Sequence, residues 1–352
     1  MSLGRNRRAL TILRLAACVS ALGLGAAFSA VTYAPEDGVA RAAAPPASPT
    51  AATPVRATPD PAREEEPVAE PFAPAEPDLA RSLGLSMSNG RVISGATPHR
   101  LVLFTFDDGP NRHTTPRLLD LLDAAGVRAV FFLTANRIRG DNRRERIQQD
   151  IAREIVRRGH MVGSHTVDHA QLPALDNREV LHQLVEAEHI FERVLGGRPW
   201  LFRPPGGGRT DRVDALIAER GYTSVLWNLG TGDFQVSTPE EVAATWRRVL
   251  AFRERDSGER GGIILLHDIH EHSVDAFPLI VQELRRRNCR LLEGGEELYD
   301  IVDDPRLFFT PRADATPSAV APPATPEDSV IAARQAALRQ ETRQRCEAVA
   351  SL

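Results

Sequence analysis

Between Thr97 and Pro305, short β-branched or aromatic runs alternate with longer amphipathic stretches, a pattern that restricts the possible folds more than any other feature of the chain. Strands are expected at Leu101–Phe106, Ala129–Leu133, Met161–Gly163, Thr223–Trp227, Gly262–Leu266 and Arg290–Leu292. Between them, helices are expected over Arg117–Ala125, Glu145–Arg158, Asn177–Leu195, Arg212–Arg220, Pro239–Arg253 and Val274–Arg287. Repeated β-then-α units with covered strands imply a parallel sheet, closed as a barrel or left open. The segment 97–305 therefore reads as one catalytic-sized domain of about 200 residues.

Ten of the 26 prolines fall inside that segment, so the rest mark the flanks. From Pro35 to about Ala80 roughly half the residues are Ala or Pro, a composition that buries too little apolar surface to offset ordering entropy. A semi-extended linker is expected over 35–96, and a low-complexity and helical tail over 306–352. Residues 1–34 carry Arg5, Arg7, Arg8 and Arg14 ahead of an uncharged apolar run, Leu15 to Ala34, which is the pattern of an export signal. At about 20 residues the run is also long enough to span a bilayer. A cleaved signal peptide and a retained N-terminal membrane anchor fit it equally, and both expect an exported chain in the periplasm, the cell envelope or the medium.

Composition narrows the function classes. Lys+Arg 43 against Asp+Glu 47 leaves no global positive field to hold phosphates, so a nucleic-acid partner is not expected. Cys18, Cys289 and Cys346 are too few for a disulfide-dense scaffold and form no C-x-x-C, which excludes a zinc ribbon or a thioredoxin-like motif.

Four stretches carry candidate chemistry. Leu101 to Pro110 is an apolar strand that ends in two adjacent carboxylates, Asp107 and Asp108, and a Gly-Pro turn. Adjacent residues on extended backbone point to different sides, so one carboxylate can ligate a metal while the other faces substrate. Asp, Gly and Pro are also ordinary turn residues, but strand C-terminal ends are where active sites assemble in parallel α/β folds. His165 and His169 follow the Met161–Gly163 strand with a spacing that brings two imidazoles to one side of a helical turn. In a chain with 10 histidines such a pair also arises on a plain surface. Adding one aspartate makes a two-His, one-carboxylate set with positions left for water, the pattern of a catalytic rather than a structural zinc. Arg203 to Gly208 sets a guanidinium beside a loop, through Pro205 and Gly206, whose glycines let backbone N–H groups approach a ligand oxygen. A proline-stiffened loop with a surface Arg is the bland alternative. Finally, Gly262 to Leu266 reads as a buried strand with His267 at its exit, a strand cap or a general-acid candidate.

Taken together and in this order, Thr105-Phe-Asp-Asp-Gly-Pro110, His165-x-x-x-His169, Arg203-x-Pro205-x-Gly207 and Leu266-His267-Asp268 resemble the polysaccharide deacetylase pattern (NodB homology, carbohydrate esterase family 4) over roughly Leu101 to Ile301. The resemblance implies an α/β fold, a distorted, incomplete (β/α) barrel. It also implies Asp107 as general base, Asp108, His165 and His169 as metal ligands, Arg203 as the group that orients Asp107 and keeps it ionised, and His267 as general acid. Thr231-Gly232-Asp233-Phe234 best matches a further family motif, which would pair Asp233 with His267. Three positions depart from the pattern: Gly206 where an aromatic is usual, Gly230 in place of a common Asp, and Phe234 in place of a common Trp. These touch pocket walls, with Pro205, Gly206 and Phe234 expected at the substrate and Gly206 offering its N–H to an oxyanion.

The implied activity is metal-dependent hydrolysis of N-acetyl groups on a polymeric amino sugar, either peptidoglycan or another N-acetylglucosamine-containing polysaccharide. Zn²⁺ suits the ligands, and Co²⁺ or Mn²⁺ fit the same set. Removal of O-acetyl groups from a xylan-type polymer is the alternative within enzymes. A non-catalytic glycan-binding envelope protein is the alternative outside them, although such proteins usually lose a ligand or the base and none is lost here. His270 and His272 read as residues of an exposed loop, Glu64 to Glu66 as linker solvation, and the arginines from Arg137 to Arg158 as a solvated helix face that could touch an anionic envelope polymer.

Overall fold

The computed structural model describes residues 78–84, 91–308, 320–321 and 328–350. The segment expected to be a signal peptide or anchor (1–34) and most of the linker (35–96) lie outside these residues. Among the described residues, no helix is long and apolar enough to cross a membrane.

The strands are β1 (Val92–Ile93), β2 (Leu101–Asp107), β3 (Val130–Leu133), β4 (Met161–Ser164), β5 (Leu201–Phe202), β6 (Thr223–Val225), β7 (Leu229–Gly230), β8 (Gly262–His267), β9 (Asp300–Ile301) and β10 (Val320–Ala321). The helices are α1 (Leu79–Ser82), α2 (Thr114–Ala125), α3 (Arg143–Arg157), α4 (Asn177–Leu195), α5 (Asp211–Glu219), α6 (Pro239–Ser257), α7 (Glu271–Glu293) and α8 (Asp328–Ala350). Every pairing between these strands is parallel. Neighbours run β10-β1-β6-β5-β4-β3-β2-β8-β7, with β9 also on β2, and the two ends of the path do not pair. The result is a distorted, incomplete (β/α) barrel. Val92–Ile93, in the stretch expected to be linker, pairs with Ser224–Val225 inside the sheet.

Side-chain alternation along β2 divides the core. Val102, Phe104 and Phe106 join the larger apolar cluster with α2 and α7, where Phe104 meets Phe277 at 4.9 Å and Phe106 stacks on Phe131 at 5.3 Å. Leu101 and Leu103 face the other way, into a cluster with Val130, Phe132, Met161, Leu201, Val225 and Ile263. Thr105 and Asp107 share the parity of Leu103 and so continue that inner face. Gly163 is required on the adjoining strand, because a Cβ there would come within 2.4 Å of the Phe132 ring.

The expected strand at Arg290–Leu292 is not formed, since these residues belong to α7. Phe277, Ile280, Val281, Leu284, Asn288 and Leu291 recur at helical spacing against the core, and this periodicity outweighs a three-residue apolar window. Likewise β6 stops at Val225 instead of Trp227, because the carbonyls of Val225 and Leu226 accept hydrogen bonds from Arg203. Helix limits otherwise follow local chemistry. Reciprocal Asn142/Glu145 and Asp176/Glu179 capping boxes start α3 and α4, and Thr238 with Pro239 starts α6.

The C-terminal helix α8 is tied to the rest. Arg334 pairs with Asp300 (2.7 Å) and Asp303 (2.9 Å), Gln335 bonds the backbone of Leu298, and Cys346 forms a disulfide with Cys289 of α7. With the two cysteines 57 positions apart in the chain, the loop-entropy relation allows up to about 4 kcal/mol of stabilisation. Reducing the bond, or a Cys346→Ser substitution, is expected to lower Tm by several degrees. An unchanged Tm would mean that packing alone holds α8.

Candidate active site

The C-terminal ends of β2, β4, β5, β7 and β8 converge on one edge of the sheet and deliver the functional side chains. Asp107 is the last residue of β2 and sits in register opposite His267, the last residue of β8, so base and acid candidates face each other across one strand spacing. His165 follows the last residue of β4, Arg203 follows β5, and Asp233 lies three residues beyond β7.

Three residues break the rules of ordinary backbone here. Asp108, Thr166 and His169 have φ of 73°, 66° and 64°, in the left-handed region that non-glycine residues seldom occupy. Each costs of order 1–3 kcal/mol, and such strain persists where the surroundings over-determine it. The turn after Asp108 is held by Asp268. A Cβ on Gly109 would lie 2.3 Å from the Asp268 carboxylate, and the Thr114 and Thr115 hydroxyls donate to the Asp268 carbonyl and carboxylate. Burial pushes the Asp268 carboxyl up to about 7.

Asp108, His165 and His169 bring one donor atom each to within 4.8 Å of one another, the one such cluster among the described residues. Asp108 Oδ1 lies 3.5 Å from His165 Nε2 and 3.4 Å from His169 Nε2. Metal–ligand bonds of ~2.0–2.1 Å at a tetrahedral angle would separate ligand atoms by about 3.3 Å, so these atoms fit a common ion. Two further observations support the fit. Asp108 Oδ1 is buried without a hydrogen-bond partner. His165 Nδ1 is 2.7 Å from the Arg203 carbonyl, to which it donates, which leaves Nε2 as a lone pair facing the cluster. Burial drives the His165 pKa well down and keeps that ring neutral.

Asp107 has a different environment. Its Oδ1 accepts from Arg203 Nη1 at 2.8 Å, while Oδ2 lies 3.8 Å from His165 Nε2. Arg203 is itself fully buried and donates to Thr105 Oγ1 (2.7 Å), Val225 O (2.9 Å) and Leu226 O (3.3 Å). Its guanidinium centre sits 4.1 Å from the Phe132 ring and 5.4 Å from that of Trp227. Burial raises the Asp107 pKa, the charges of Arg203 and His267 pull it back, and the balance stays above the ordinary carboxylate value.

His267 is shifted the other way from a buried imidazole. Burial alone would lower its pKa, but a 2.9 Å hydrogen bond to Asp233 Oδ1 and the carboxylates of Asp233, Asp107 and Asp108 raise it to about 9. Asp233 is fixed in turn by the His267 backbone N–H (2.7 Å) and the Ser273 hydroxyl (2.6 Å). Burial would raise its pKa, and these bonds with the His267 charge bring it below the usual value. The protonated ring thus spends Nδ1–H on Asp233 and keeps Nε2–H free.

All ten expected site residues lie on this edge. Pro205 is buried. Gly206, at φ 61°, is exposed in a turn where Gly207 and Gly208 bond back to Pro204 and Pro205. Phe234 is 65% exposed with its ring 6.1 Å from that of His267, an apolar plate beside the acid candidate. Thr105, Phe132, Trp227 and Ser273 were not foreseen. Thr105 was within reach, since it is two residues before Asp107 on the same strand face, whereas Ser273 comes from α7 with no local signal. His270 and His272, expected in an exposed loop, instead open α7. His270 is its N-cap residue, and His272 Nε2 is 2.7 Å from the Asp233 carbonyl. The start of the helix at this point places the Ser273 hydroxyl on Asp233 Oδ2.

The sequence profile of the polysaccharide deacetylase family matches residues 94–225. A chitin deacetylase of Arthroderma benhamiae is 31% identical over 214 residues, which are 60% of this chain and 55% of that protein. The chain thus spans about half of that relative's length. A chitin deacetylase of Colletotrichum lindemuthianum is 30% identical over 216 residues, 61% of this chain and 86% of that one. A peptidoglycan-N-acetylglucosamine deacetylase of Bacillus cereus is 28% identical over 202 residues, 56% and 88% of the two chains. With 86% of a 30%-identical relative covered and the family profile matched over a span that contains Asp107, Asp108, His165, His169 and Arg203, the chain belongs to the polysaccharide deacetylase family.

Proposed function

We propose that the protein removes N-acetyl groups from a polymeric amino sugar by metal-dependent hydrolysis, releasing acetate and leaving a free amine. One observation carries this reading. Two titratable groups in register across β2 and β8 are shifted so that Asp107 is a strengthened base and His267 a proton donor, beside a cluster fit for a cation. The relatives act, by name, on chitin and on peptidoglycan N-acetylglucosamine.

Asp108, His165 and His169 would hold a divalent ion, Zn²⁺ by ligand type. When bound, that ion supplies Lewis acidity, making water more acidic and drawing electron density from the acetyl carbonyl. The protein's own residues do the rest. Asp107, ionised beside Arg203, accepts the proton of the attacking water at Oδ2, because Oδ1 is engaged by the guanidinium. The Gly206 N–H, beside the stiff Pro205, is a donor for the oxyanion. His267 gives its Nε2 proton to the departing nitrogen, which an amine needs far more than an ester alcohol does. Asp233 and Ser273 hold the ring in that orientation. Phe234 offers a sugar an apolar face. Rate should fall on the acid side as Asp107 protonates and on the alkaline side as His267 loses its proton near pH 9.

Export is part of the proposal. The cationic-then-apolar N-terminus supports it, and so does the Cys289–Cys346 disulfide, because such bonds persist in oxidising compartments. The decisive assay is acetate release from acetylated glucosamine oligomers and from acetylated xylan, with and without a chelator. The oligomers are expected to be deacetylated, the chelator to abolish turnover, and added Zn²⁺ to restore it. Release from xylan alone would replace the amide reading by the ester one, and turnover untouched by chelation would remove the metal from the mechanism.

A further inference from the structure

One wall of the site has a charge unlike that of the chain. Residues 137–146 contain five arginines against only Asp141 and Glu145, in a protein of net charge -4. They form the short turn helix after β3 and the start of α3. Most arginines of this surface are committed: Arg139 pairs with Glu186, Arg146 donates to the Asp141 carbonyl, and Arg157 and Arg158 pair with Glu154. Neither Arg137 nor Arg144 is seen in a close ion pair among the described residues, Arg137 feeling only the charge of Asp268 behind the cleft, and both line a cleft of about 480 Å³ that reaches Asp108 and His169. That volume is within the ~300–1,000 Å³ range of small-ligand clefts. Of the acids that line the cleft, Glu145 is turned to the Asn142 backbone N–H in the capping box and Asp108 belongs to the candidate metal cluster, which leaves Asp168 as the remaining lining acid.

We propose that Arg137 and Arg144 form a subsite for a carboxylate carried by the glycan itself, on a sugar adjoining the one that loses its acetyl group. Guanidinium groups match a carboxylate with paired hydrogen bonds, and the cleft shares Asp108 and His169 with the reaction centre, so an anion there lies next to the scissile unit. This inference rests on the deacetylase reading above, and its test separates the two.

The metal-loaded full chain would be measured for binding by calorimetry and for acetate release on three probes. These are neutral acetylated glucosamine oligomers, peptide-free peptidoglycan strands in which alternate sugars carry a carboxylate, and the same strands with peptides attached. At low salt the peptide-free strands are expected to bind about tenfold tighter than neutral oligomers and to show a similar advantage in kcat/KM, both shrinking as salt rises. In the double variant Arg137→Gln/Arg144→Gln the ratio between the two substrates should collapse toward one. Arg143→Gln, on the same turn but off the cleft, should keep it. Equal binding of neutral and carboxylated strands by the wild type overturns the subsite whether or not acetate is released. An advantage seen only with peptides attached also overturns it, by assigning the anion to the peptide. Preferential binding of peptide-free strands without acetate from any probe would leave the subsite standing and defeat the deacetylase reading.

Discussion

An Asp107→Asn variant is expected to lose about 10³-fold in the rate of acetate release while still binding its metal ion, a loss within the ~10²–10⁴-fold range of general-base catalysis. The amide keeps the carbonyl oxygen that accepts from Arg203 Nη1 at 2.8 Å, so the buried guanidinium retains its partner and the fold should survive. What disappears is an ionised oxygen able to take a proton. Asp108, whose Oδ1 is buried and equidistant from the two histidines to within 0.1 Å, is untouched by the change. Metal content measured beside turnover separates the two aspartates. A variant that keeps turnover but loses its metal would exchange their roles.

Arg203→Met is expected to damage both stability and rate. The side chain is wholly buried, and it joins the ends of β2, β5 and β6 through Asp107, Thr105, Val225 and Leu226. Breaking a buried ion pair from one side costs about 3–5 kcal/mol, because the remaining charge is left uncompensated. Part of that cost is avoided if Asp107 protonates. Burial already raises its pKa against the pull of Arg203, and without the cation the folded-state pKa must rise further above the unfolded value of ~3.9. A carboxyl raised in the folded state favours folding below its unfolded pKa, and that contribution is lost as pH rises through the folded pKa. The variant should therefore be least destabilised in acid and progressively weaker toward neutral pH. Its activity should behave in the opposite sense, with the acid limb of the rate profile displaced to higher pH. Arg203→Lys should recover part of the pKa effect but not the positioning, since an ammonium cannot reproduce the planar fork that meets four acceptors. An unshifted acid limb with wild-type Tm would mean that Arg203 neither orients nor charges the base.

The two variants show why some of the site is visible from the chain alone. Strand period places Thr105 and Asp107 on one face, and the end of an apolar run marks where a candidate residue emerges, so Asp107, His165 and His267 could be named at strand exits, whereas Arg203 was read only from its Pro/Gly loop and the family resemblance. The limits of the strands were less secure. A three-residue apolar window at Arg290–Leu292 cannot express a period, and it became helix once its neighbours on α7 supplied one. Two-residue strands such as β5 and β7 carry too few side chains to differ from loop. Ser273 behind Asp233, Trp227 beside Arg203 and the Cys289–Cys346 bond between α7 and α8 join distant segments, and no local pattern encodes such a distance.

Sequence by itself determined the alternation of elements, the parallel sheet and the identity of the chemical groups, because each depends on local periodicity and on residue type. Tertiary structure decided how those groups are placed and charged. Only the folded chain sets Asp107 opposite His267, buries one carboxylate against a cation and leaves its neighbour open toward two imidazoles. A pKa depends on burial and on charges brought in from other strands, and those are fixed only when the sheet curls and its strand ends meet.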